Sequence, residues 1–159
     1  MNPPNLTPIP ELYVSYESAQ KLKLEAAELP SWDLTPRQVC DLELLMNGGF
    51  NPLKGFLTEA DYDAVVDTMR LEDGTLWPMP ITLDIDEAFA DGIAPGQDIA
   101  LRDQEGVILA IMSVTDKWTP DKSREAEKVF GADDIAHPAV NYLHNQAGSV
   151  YLGGPITGI

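Results

Sequence analysis

One change of hydrophobic period divides this sequence in two. Before Gly74 the apolar residues recur at spacings of three and four, and beyond it they run in extended segments. Helices followed by strands predict an α+β fold, with helical segments inserted again near the end. The length of 159 residues suits one domain, or one domain with an arm. A chain this long buries enough surface to need no staple. Its single cysteine, Cys40, makes neither an internal disulfide nor a cysteine-based zinc site, which fits a reducing, cytoplasmic compartment.

The opening residues include Pro3, Pro4, Pro8 and Pro10, an extended arm that either leads the domain or lies over it. No basic n-region followed by an apolar core opens the sequence, so no secretory signal is expected. A first helix is expected from Glu17 to Leu29, carried by Ala19, Leu22, Ala26 and Leu29 and ended by Pro30. Residues 1–30 therefore form an arm and a first helix, and residues 31–159 the main domain. Thr35, Pro36 and Gln38 give the next helix a cap, a first-turn proline and a capping-box partner. Its apolar face is Val39, Leu42, Leu45 and Met46, with Cys40 beside it as an inert thiol. Gly48 and Gly49 stop it. Thr58 caps a third helix with Tyr62, Val65, Val66 and Met69 on its apolar face.

Leu76 to Ile85 reads as strand, restricted by Pro78 and Pro80. Asp98 to Arg102 and Val107 to Thr115 read as a hairpin across Asp103 to Gly106, the second strand covered on both faces. Thr119-Pro120 and His137-Pro138 open two short helices, and Val150 to Leu152 is a last short strand. The longest nearly apolar run, Val107 to Val114, is far short of the roughly 20 residues of a membrane span.

Chemical motifs are sparse. The stretch Gly48 to Gly55 looks glycine-rich, but Lys54 precedes the last glycine and the segment follows a helix. A phosphate-cradling loop needs the reverse order after a strand. His137 and His144 are seven apart, too far along a helix to share one metal, so capping or surface roles are expected. No serine lies in a nucleophile elbow. Asp84/Asp86 and Asp133/Asp134 read as solvated carboxylates, and the acids lack the spacing of a calcium loop. With 26 acidic against 10 basic residues, the net charge of −16 opposes a nucleic-acid partner.

Longer strings carry more. Ser31 to Gln38, Asp41 to Leu57 and Asp73 to Leu83 occur in order. Ala100 to Asp103, Val129 to Gly131, His137 to Val140 and Gly153-Gly154 follow them. Together they resemble the N-terminal domain of ATP sulfurylase (sulfate adenylyltransferase). The resemblance implies a PUA-like small β-barrel decorated with helices. It implies an enzyme that joins sulfate to MgATP, giving adenosine 5′-phosphosulfate and pyrophosphate, in a separate following domain. That family's Gln-x-Arg-Asn and His-x-x-His motifs do not occur here, so no catalytic, cofactor-binding or metal-binding residue is assigned. The expectation is a non-catalytic domain that works with its own catalytic domain, with self-association through the complete enzyme. Its inter-domain interface is expected at Gly48, Gly49, Phe50, Pro52, Gly55 and Phe56, as a rigid knob bearing two aromatics. The alternatives are a free-standing PUA-like regulatory or binding module, with RNA disfavoured by charge.

Overall fold

The computed structural model describes residues 8–159. Pro3 and Pro4 of the expected arm lie outside them. Among the described residues there are six helices and seven strands. The first helix, α1, spans Tyr16–Ala26 behind a Ser15 cap, ending one turn before Pro30. The strand β1 (Ser31–Asp33) leads into α2 (Pro36–Met46), whose Thr35/Gln38 capping box forms as the sequence predicts. The short β2 (Gly55–Phe56) precedes α3 (Glu59–Thr68), capped by Thr58.

The extended half is built from β3 (Leu83–Ile85), α4 (Glu87–Asp91), β4 (Asp98–Arg102) and β5 (Ile108–Ser113). After them come β6 (Asp116–Trp118), α5 (Lys122–Phe130), α6 (Pro138–Asn145) and β7 (Val150–Gly158). Pro78 and Pro80 confine β3 to three residues, not the ten expected, because each proline withholds a ladder donor. Asp121, not Thr119, caps α5.

The last strand is the hub. It was expected to stop at Leu152, yet β7 runs nine residues, through Gly153-Gly154-Pro155. It pairs antiparallel with β3, β6, β2 and β5 in turn along its length. The sheet order β1-β4-β5-β7-β2, with β3 and β6 also on β7, curls into a half-barrel around the main core. One pair, β1 with β4, is parallel, so the sheet is mixed.

Leu34, Leu42, Leu45, Phe56, Tyr62, Leu83, Ile99, Met112 and Leu152 form the centre of that core. A smaller cluster docks α1 on the outer face of the sheet through Ala26 against Ala100 and Ile111. The described part of the arm also lies over the domain. Leu12 N–H donates to Met46 at 2.8 Å, and Val14 N–H to Gly158 at 3.1 Å. None of the described helices is long and apolar enough to cross a membrane.

Candidate functional site

Two regions compete as the functional face. The first is the loop between α2 and β2. Gly48 is buried: a Cβ there would lie 2.5 Å from Ile9 and 2.7 Å from the Pro10 carbonyl. Gly55 is buried too, in register with Pro155 of β7. Phe56 is 2% exposed and belongs to the core, so the loop does not present two aromatics. The reason is topological: Phe56 lies on a strand whose inner face meets the barrel, a strand too short to read from sequence.

What the loop offers outward is Gly49, Asn51, Pro52 and Lys54, with Phe50 half-buried. Phe50 stands edge-on to Trp77 with ring centres 5.7 Å apart. A cleft of about 440 Å³ runs beside the loop, past Lys54, Asp61, Asp73 and Pro155.

The second region was not legible as a site. Asp84, expected in solvent, is 4% exposed in β3. Its carboxylate accepts from Arg37 of α2, from the Gln38 side-chain amide at 3.0 Å and from the Gly148 N–H at 2.7 Å. Arg37 also donates to Asp41 at 2.5 Å, one turn along α2, and to the Tyr142 hydroxyl at 3.3 Å. Gln38 is fully buried and uses its whole amide. Its oxygen accepts from Trp32 Nε1 at 3.1 Å and Thr35 N–H at 3.0 Å, and its nitrogen donates to the Asp84 carbonyl at 2.6 Å. One signal could have flagged Asp84: it stands alone between Leu83 and Ile85.

Behind this group sits Glu125 of α5, 7% exposed. Tyr62 and Tyr151 donate their hydroxyls to its Oε2 at 2.6 and 2.9 Å. Burial raises the Glu125 carboxyl above its ordinary range, against the opposing pull of the two phenols. Burial and then the Glu125 charge push both tyrosines upward in turn. Asp41 is raised too, chiefly by burial, despite Arg37. A cavity of about 360 Å³ opens beside these groups, under α6.

The remaining candidates resolve plainly. His137 caps α6, its Nδ1 accepting from Ala139 N–H at 3.2 Å. His144 pairs with Asp133 at 2.5 Å, within the acid pair read as solvated. Cys40 is exposed, not a core thiol, because the buried stripe of α2 passes through Gln38, Leu42 and Leu45. Every arginine is engaged: Arg102 with Asp33, Arg124 with Asp63 and Asp67, Arg70 with the Gly74 carbonyl. Among the described residues, no group of three or more His, Cys, Asp or Glu is placed to hold a metal ion.

The model of the PUA-like domain matches residues 2–159. The chain is 53% identical over 135 residues to the sulfate adenylyltransferase of Saccharomyces cerevisiae, covering 85% of this chain and 26% of that protein. Against the sulfate adenylyltransferase of Schizosaccharomyces pombe it is 51% identical over 142 residues, covering 88% of this chain and 29% of that one. Among solved structures, the hexameric APS kinase from Thiobacillus denitrificans superposes with a TM-score of 0.71 at 36% identity, over 94% of this chain and 25% of that chain. The chain thus spans between a quarter and a third of the length of the curated relatives it matches.

Proposed function

This chain belongs to the PUA-like domain family, and from that premise we propose that it is the non-catalytic N-terminal domain of a sulfate adenylyltransferase. The complete enzyme would convert ATP and sulfate to adenosine 5′-phosphosulfate and pyrophosphate in sulfate activation. The observation that carries the reading is the half-identity to those enzymes across nearly all of this chain but a small share of theirs.

The chemistry agrees. Attack of sulfate on the α-phosphorus needs positive charge held around the phosphates. Here all four arginines are tied to carboxylates or a carbonyl, and the net charge is −16. MgATP would bind elsewhere, in a catalytic domain carrying Gln-x-Arg-Asn and His-x-x-His motifs. The exposed edge of the 49–54 loop and its neighbouring cleft is our choice for the contact with that domain. Assembly into higher oligomers would run through the complete enzyme, in keeping with the hexameric structural relative. A cytoplasmic setting goes with this role.

The test is direct. This chain, given ATP, magnesium and sulfate, should release no pyrophosphate above background, while the reading frame beyond Ile159 should encode both motifs. Turnover approaching that of a complete sulfate adenylyltransferase would sink the proposal.

A further inference from the structure

The cavity under α6 lies apart from the loop proposed to meet the catalytic domain. Its floor and walls are apolar: Ile81 and Leu143 are buried in them, with Phe130 and Ala139 beside and Met79 at the mouth. Its polar end is unbalanced. Asp41, Asp84 and Glu125 bring three carboxylates. Against them stand Arg37 and, at longer range, Lys122, whose amino group donates to the Ala147 carbonyl at 2.9 Å.

Arg37 is spent on Asp41, Asp84, Tyr142 and the Thr82 carbonyl. Glu125 has no ion-pair partner among the described residues. Both of its phenol hydrogen bonds end on Oε2, and Oε1 accepts none from the described residues. A side chain more than nine-tenths buried thus keeps one acceptor unused on the wall of a cavity. Lining the cavity, that oxygen is open to a donor from water or from a ligand.

We propose that this cavity is a binding site for a small organic cation, an alkylguanidinium or alkylammonium, its charged head on Glu125 Oε1 and its stem against Ile81, Phe130 and Leu143. A volume of about 360 Å³ accommodates a ligand of that class with room for bridging water. An anion is disfavoured, since the one guanidinium at the wall already serves four acceptors. A neutral ligand would leave the third carboxylate without a counter-charge.

Three probes of similar size separate these cases: n-butylguanidinium, n-butylurea and pentanoate, titrated calorimetrically into the intact chain. The cation should saturate with a dissociation constant on the order of 1 mM, near what so few atoms can give. The urea should bind at least about tenfold more weakly, and pentanoate should show no saturation. Glu125→Gln should lose the cation. Ala139→Phe, which fills the cavity and leaves every carboxylate in place, should lose it as well, with circular dichroism confirming that each variant is folded. If one variant fails to fold, the other decides. Absence of saturation by roughly 50 mM cation, equal binding of the urea, or affinity surviving in a folded variant overturns the site. If an acetyl-Gly-Arg-Gly-amide peptide binds more than about tenfold tighter than butylguanidinium, the small-molecule assignment falls to a polypeptide side chain. None of these outcomes depends on whether the chain turns over ATP.

Discussion

The strand hub and the α5–α6 flap hold together by different physics. Around β7, backbones touch. A Cβ on Gly154 would stand 2.0 Å from the Ser113 carbonyl oxygen, and one on Gly55 2.0 Å from that of Gly154. Neighbouring residues such as Leu152 and Tyr151 are buried to 0% and 1% exposure. The flap is joined to the barrel by hydrogen-bonded carboxylates: Asp84 through Gly148, Glu125 through two tyrosines, and Arg124 through acids on α3. Backbone contact is indifferent to pH and salt, whereas carboxylates are not. The hub therefore sets the fold, and the flap is where solution conditions act.

The harshest way to break the comparison is Gly154→Ala. Gly154 has φ +150°, and the obstructing atoms are backbone on a paired strand, so nothing can swing aside. The expected cost is about 4 kcal/mol or more, seen as loss of the cooperative urea transition. A variant that unfolds at the wild-type midpoint would show the hub to be softer than its geometry.

Asp84→Ala comes next. It strips the partner from Arg37 and leaves the Gln38 amide and Gly148 N–H without their acceptor. Removing one member of a mostly buried pair should cost about 2–4 kcal/mol in denaturant unfolding, tempered by the partial exposure of Arg37. A loss under about 0.5 kcal/mol would mean that water replaces the carboxylate freely.

Glu125→Gln sharpens the contrast through pH. The folded carboxyl is raised above the ordinary glutamate range, mainly by burial. A raised carboxyl contributes stability that is present below the unfolded value and lost as pH climbs through the folded one. Wild type should therefore lose melting temperature relative to the variant between about pH 4 and neutrality. Asp41 shifts in the same direction but is common to both proteins, so the difference isolates Glu125. A constant difference across that range would contradict the assigned direction.

The sequence disclosed the two regions unequally, for the same physical reason. Local chemistry was legible: the Thr35/Gln38 box, the Thr58 cap and the Asp103–Gly106 hairpin all form where short-range rules put them. What depends on distant segments was not. β2 and β6 have two and three residues and exist only because β7 offers an edge. Gly153-Gly154-Pro155 read as a stop, and it is instead the middle of the central strand, where the two glycines let β2 and β6 approach closely. The carboxylate cluster was hidden in the abundance of acids. In a chain with 26 of them, nothing local marks Glu125 as buried, and only the flanking Leu83 and Ile85 hint at Asp84.

The smallest effect tests whether burial, not charge, separates strong pairs from weak ones. Arg124 on α5 bridges Asp63 and Asp67 on α3, both at 2.9 Å, yet those carboxylates are 52% and 50% exposed. By count it makes as many ion pairs as Arg37. In high dielectric each such contact is offset by side-chain ordering and screened by salt. Arg124→Ala should thus cost no more than about 1 kcal/mol, and about 1 M sodium chloride should erase most of the difference from wild type. A cost equal to that of Asp84→Ala, insensitive to salt, would mean that the flap is clamped from its exposed side. The contrast between hub and flap would then have to be redrawn around α3.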